Sequence, residues 1–158
     1  MLPDEALGRH AHMVPLGRAA EPAEIASGLQ THAATALRQI AQSSVPLVFH
    51  PPCTLQHGQG LRGGVEAGLR ALGFSVRLAS TEAHLCCGSA GTYSVLQPVL
   101  STALRERKLA ALAAVDTETI VSANIGCVTH LQAASAAPVR HWIEVLDDAL
   151  TQAQSTPA

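Results

Sequence analysis

Three short apolar runs, each ended by turn residues and followed by a helical stretch, limit this chain to few folds. "VPLVFH" (45–50) stops at Pro51 and Pro52, "FSVRLAS" (74–80) runs into a polar stretch, and "ETIVSA" (118–123) closes on Asn124 and Gly126. Unbroken apolar character suits a strand buried on both faces, and a proline pair ends such a strand because proline cannot donate to the ladder. Between the runs, 61–72 reads as a helix with Gly73 as its C-terminal stop. Residues 92–115 read as a second helical stretch, with Pro98 marking a kink or a new start. Strand alternating with helix predicts an α/β fold: a mainly parallel sheet with flanking helices.

The flanks divide the chain further. Residues 1–44 are expected to form a loose leader, punctuated by Pro3, Pro15 and Pro22, and then an amphipathic helix over 24–41 with Ile25, Leu29, Leu37 and Ile40 near helical spacing. The central domain spans 45–150. It finishes with a short helix, a break at Pro138 and a helix over 140–150 with Trp142, Ile143, Leu146 and Leu150 on one face, and 151–158 reads as a frayed tail.

At 158 residues the chain supports one core, and 47% apolar residues with 14% charged ones make it globular. A formal charge of −2 and no long basic run argue against nucleic acid as a partner. No stretch is apolar enough to cross a bilayer or to act as a secretory signal, so the cytoplasm is the expected location. In that reducing compartment the four cysteines are better read as ligands, reactive thiols or buried apolar groups than as disulfides.

Cys53, the adjacent Cys86 and Cys87, and Cys127 each follow a strand run. Adjacent cysteines rarely bond to each other, because a vicinal disulfide strains the peptide between them. In a parallel sheet the loops leaving the carboxyl ends of the strands gather along one edge, where ligands bind, so distant parts of the chain can deliver four thiols to one place. Thiolates suit soft metals and clusters of iron and sulfide. The spacing, 32 intervening residues between Cys53 and the pair and 39 between the pair and Cys127, fits neither a zinc finger nor a bacterial ferredoxin.

Other features have plainer readings. Gly88 and Gly91 suit turn positions of positive φ, and "GQGLRGG" (58–64), which lacks the lysine and serine of a P-loop, reads as a loop leading into a helix. "RERKL" (105–109) reads as the solvated face of a helix, and His50 and His57 as groups satisfied by backbone or solvent. Two rivals to a metal site stand beside it: a cysteine nucleophile or redox thiol pair, and a cofactor-free fragment that docks through the helices at 24–41 and 140–150.

"HPPCTLQHGQ", "LCCGSAGTYSVLQP", "RKLAAL" and "ANIGCVTHLQ" occur in an order that resembles the cysteine-rich CCG domain of heterodisulfide reductases and of glycolate- and lactate-oxidising complexes. Within that group the sequence is most similar to the C-terminal CCG unit of glycolate oxidase iron–sulfur subunits, over about residues 45–150. The resemblance implies a Rossmann-like unit in which Cys53, Cys86, Cys87 and Cys127 hold an iron–sulfur cluster, 4Fe-4S in type, with zinc as the alternative and Gly88 as the third letter of the motif. The family pattern ends in CxxC, whereas this chain has Cys127-Val-Thr-His130, so His130 stands as a substitute ligand. The implied role is electron transfer from an FAD-binding glycolate oxidase subunit, which turns glycolate into glyoxylate, toward a membrane acceptor. Family members also carry a ferredoxin-like part and an earlier CCG unit. Neither is in this sequence, so a separate ferredoxin-like chain is a further expected partner, with the membrane met only peripherally at its inner face.

Overall fold

The computed structural model describes residues 31–116 and 118–155, so the leader and the first part of the helix expected at 24–41 lie outside the described residues. The chain order is α1 (Thr31–Ser43), β1 (Leu47–His50), a π-helical turn (Thr54–Gly58), α2 (Gly64–Ala71) and β2 (Val76–Leu78). There follow α3 (Tyr93–Leu96), α4 (Pro98–Ala113), β3 (Thr119–Ser122), α5 (Ile125–Gln132), β4 (Val139–His141) and α6 (Trp142–Ser155). The expected α/β architecture is present: the four strands pair in parallel, in the order β2-β1-β3-β4.

β1 is central and buried at all four residues, in keeping with its unbroken apolar run. Its side chains alternate between two cores. Leu47 and Phe49 join Leu37, Leu69, Phe74, Val121 and Val145 on one face, while Val48 joins Leu112, Ile120, Leu131, Cys87 and Cys127 on the other. The chain steps outward from β1 to β2 and then crosses back to β3, so the winding reverses between β1 and β3. A crevice opens at the carboxyl ends of the strands at such a reversal. Cys53 follows β1 and Cys127 follows β3, so both flank this crevice.

Local chemistry sets the element ends. Gly73, at φ 105°, closes α2: its N–H donates to Arg70 O, and the N–H of Phe74 donates to Leu69 O. This is the paired C-terminal bonding that glycine permits. Pro98 is a new start, with Gln97 outside helical geometry and proline in the first turn of α4.

Two details differ from the expectations above. β4 is an additional strand, because three residues following a proline carry too little pattern to mark one in sequence. The last helix continues to Ser155, so 151–155 is not frayed; Ala153 is buried in the first core and prolongs the apolar stripe of Val145 and Ala149. Ile143 lies off that stripe and is exposed. α1 and α6 pack on each other and on the sheet as core helices. Most of the exposed large apolar side chains lie elsewhere, at Val95, Leu96, Val99 and Leu100 around the start of α4 and at Ile125 on α5.

Candidate metal centre

β1 ends in a buried histidine. His50 is completely buried, and its carbonyl accepts a hydrogen bond from Ser122 Oγ at 2.9 Å, which locks the ends of β1 and β3 together. Pro51 and Pro52 turn the chain into a π-helical turn that begins after Cys53, with the N–H groups of Leu55 and Gln56 both donating to Pro52 O. Gln56 Nε2 closes the turn on Pro51 O at 2.8 Å. Single π turns of this kind are frequent at functional sites.

The adjacent cysteines sit in the loop between β2 and α3, held from below by α4. Gly88, at φ 93°, lies so close to α4 that a Cβ there would stand 2.4 Å from Ser101 O. Only glycine fits, both for its backbone and for the space. Ser101 Oγ donates to Gly88 O at 2.8 Å, and the Gly88 N–H donates to Cys86 Sγ at 3.3 Å. Gly91 also has positive φ, at 57°, but faces open space.

Cys127 lies in the first turn of α5, where Asn124 caps the helix: its Oδ1 accepts from the Cys127 N–H at 3.2 Å. A side-chain acceptor of this type satisfies one of the free N–H groups at a helix start.

These three loops bring a histidine and two cysteines together. The ligand atoms of His50, Cys87 and Cys127 all lie within 4.8 Å of one another, and all three residues are buried. Cys86 and Cys53 are neighbours of this trio. The Cys53 thiol is pushed up to about 11, first by burial, then by its hydrogen bond with Cys86, and by the charges of Cys86 and Cys87. Cys87 is pushed below the ordinary thiol range, chiefly because the Cys127 thiol donates to it and more weakly through the His50 ring, against the effect of burial. Cys127 is pushed up in turn by the same bond, by burial, and by the charges of Cys87, Cys86 and Cys53. Of the two, Cys127 is the proton donor and Cys87 the more acidic group. All four cysteines are free thiols.

The residues fit a soft metal. Both ring nitrogens of His50 are buried and lack an aligned hydrogen-bond partner, although a neutral imidazole carries one donor and one acceptor. Leaving such atoms unpaired in a core is costly, and a metal ion bound together with Cys87 and Cys127 would satisfy one of them.

Of the residues singled out in the sequence, the structure brings Cys53, Cys86, Cys87 and Cys127 into one interacting group, with Gly88 at its edge. It places His130 differently. The His130 Nε2 lies 3.2 Å from Ser101 Oγ and 3.4 Å from Ser101 O, outside the converging trio, and the residue lines a shallow cavity with Ser89 and Gly91 of the cysteine loop. Two residues with plain sequence readings belong to the site: His50, and Lys108, which is completely buried instead of solvated. Both are legible in principle. His50 has the same strand parity as Val48 and so faces the core that contains Cys87 and Cys127. Lys108 stands seven residues after Ser101 and four before Leu112, on one buried stripe of α4.

The segment 47–132 matches the family described as CCG, a cysteine-rich domain. Over 104 residues, 66% of its length, the chain is 53% identical to the glycolate oxidase iron–sulfur subunit of Escherichia coli (strain K12). It spans only 25% of that relative. The matched segment begins with the first residue of β1 and ends with the last of α5, enclosing every cysteine-bearing loop, and the chain belongs to the cysteine-rich CCG domain family.

Proposed function

We propose that this chain holds an iron–sulfur cluster at the cysteine centre and acts as an electron-transfer unit of a glycolate-oxidising complex. The observation that carries this reading is the convergence of His50, Cys87 and Cys127 within 4.8 Å, with Cys86 and Cys53 coupled to them. The similarity to a glycolate oxidase iron–sulfur subunit supplies the type of cofactor and of complex. A cluster of this kind, 4Fe-4S in the reading favoured here, accepts and releases single electrons.

The chain's own residues bind, orient and exclude water. The sulfurs of Cys53, Cys86, Cys87 and Cys127 would provide soft anionic ligands for such a group, with His50 as a further donor. The Gly88 N–H is aimed at Cys86 Sγ, a contact that tunes a metal-bound sulfur. Burial of Cys87, Cys127 and His50 keeps the centre dry. Glycolate is handled elsewhere, on an FAD-binding subunit, with a separate ferredoxin-like chain as a further electron partner. The exposed, uncharged side chains of Val95, Leu96, Val99, Leu100 and Ile125, close to the cysteine loops, support docking on the flavin-bearing partner. Among the described residues no helix is long and apolar enough to cross a membrane, so contact with a membrane is assigned to the complex, at its cytoplasmic face.

Anaerobic purification and reconstitution, with iron and acid-labile sulfide analysis and electron paramagnetic resonance, test the reading. Brown protein with matched iron and sulfide and a signal on reduction is expected. Colourless protein without iron overturns it. A second reading, one zinc ion on Cys87, Cys127 and His50, is favoured by the mixed sulfur and imidazole set. Stoichiometric zinc without sulfide would establish that instead.

A further inference from the structure

Lys108 is cut off from solvent. It is completely buried on α4, and among the described residues no carboxylate forms a salt bridge with it. Lysine is almost never fully buried without a compensating anion, because desolvating an ammonium group is expensive. Its Nζ donates to the carbonyls of Glu82 and Ala83, in the loop that leads into Cys86 and Cys87. Two carbonyl dipoles satisfy hydrogen bonds but do not neutralise a charge. The Glu82 carboxylate is already taken by Arg107. Most of the negative potential that faces Lys108 comes from the cysteine loops: burial pushes its ammonium down, and Cys87 and Cys53, then Glu82 and Cys86, pull it back up.

We infer that Lys108 is the built-in counter-charge of the cysteine centre, a positioning residue that ties down the loop before Cys86 and Cys87 and sets a fixed positive charge facing the sulfurs of Cys87, Cys53 and Cys86. The inference rests on the metal-centre reading given above. Its consequence is electrostatic. One-electron reduction of the centre adds one negative charge, with no bond made or broken on this chain, and the electron comes from the flavoprotein or, in a test, from a chemical reductant. A fixed cation nearby favours the reduced state. Burial strengthens that effect, because the interaction is not screened by water.

Three substitutions separate the charge from the loop contacts. Lys108→Met removes both, Lys108→Gln keeps a donor for the two carbonyls and removes the charge, and Lys108→Arg keeps the charge. Each is reconstituted anaerobically, checked for iron, sulfide and helical content, and titrated for its midpoint potential. Lys108→Gln and Lys108→Met should both have lower potentials than the wild type, by at least a tenfold change in the equilibrium between oxidised and reduced protein, or about 59 mV for one electron. Lys108→Arg should stay near the wild type. An unchanged potential in the Gln variant overturns the inference, whatever happens to stability. If the wild type takes up no iron, the cluster reading fails separately, and the variants are compared by competition for zinc against a chelator. The counter-charge role then requires the Gln variant to bind zinc at least tenfold more weakly, and equal affinity overturns it.

Discussion

Asn124 Nδ2 donates to Thr54 Oγ1 at 3.3 Å, joining the loop after β3 to the turn that carries Cys53 across 70 residues of sequence. The same side chain caps α5 through the Cys127 N–H, so one residue fixes two cysteine-bearing segments relative to each other. Asn124→Ala should cost about 1.5–2 kcal/mol, from loss of the cap and of one partly exposed hydrogen bond. Thr54→Val, which leaves the cap intact, should cost about 0.5 kcal/mol. Urea unfolding of both single variants and the double variant checks this. The double variant should lose less than the sum of the singles, because the pair shares one bond.

The two positive-φ glycines of the cysteine loop make opposite demands. At Gly88 a Cβ would meet Ser101 O at 2.4 Å, whereas at Gly91 it meets nothing within 4 Å. Gly88→Ala combines backbone strain with a clash against helix backbone and should cost on the order of 2–5 kcal/mol. Gly91→Ala should cost only about 1–2 kcal/mol, the backbone cost alone. Equal melting temperatures for the two variants would refute the assignment of Gly88 as a contact point with α4.

The layering of the fold is legible in the sequence because its signals are local and strong: unbroken apolar runs, a proline pair, and a glycine after the helix at 64–71. The cysteines fall at one edge because parallel strands bring their carboxyl ends together whatever the loops contain. His50 and Lys108 escape a reading by residue type for a shared reason. Each is a polar residue whose role depends on which face it shares, and parity on β1 or spacing on α4 outweighs the usual preference of histidine and lysine for solvent. His130 attracts attention by its three-residue spacing from Cys127, but that spacing within a helix fixes only adjacency on its surface, and Ser101 lies opposite. β4 depends on a neighbour, β3, for its existence, and nothing in "VRH" announces that.

Outside the centre, Glu82 and Arg107 form an exposed ion pair that pins the loop before Cys86 from the solvent side, with Glu82 in a left-handed conformation at φ 53°. The Arg107 hydrogen bond holds the Glu82 carboxyl below its ordinary value of 4.5. A carboxylate with a lowered folded value adds stability above its unfolded value and loses it as pH falls through the folded one. The advantage of the wild type over Glu82→Gln should therefore be complete at pH 7, begin to shrink as pH falls past about 4.5 and disappear at more acid pH. It should also weaken in high salt, since the pair is solvent-screened. Urea midpoints at three pH values read this directly, and a gap that persists in strong acid would show that Glu82 acts by some other means.

The contrast between His50 and His130 gives a sharp test of the metal centre. The ring nitrogens of His50 are buried without an aligned hydrogen-bond partner, and one of them lies within 4.8 Å of two sulfurs, whereas His130 Nε2 is engaged by Ser101. Imidazole offers a metal one nitrogen and holds it best when its position is fixed by packing, as at the fully buried His50; the partly buried His130 ring is held by Ser101 instead. After anaerobic reconstitution, His50→Ala should retain less than about a tenth of the affinity for metal, since losing even an outer partner of a ligand costs about 10–100-fold. His130→Ala should keep the wild-type metal content while losing about 1 kcal/mol of stability, because Ser101 loses a partner but keeps its bond to Gly88. Metal analysis by mass spectrometry alongside thermal unfolding distinguishes the two. Metal lost from the His130 variant and kept by the His50 variant would reverse the assignment and return the fifth donor to α5.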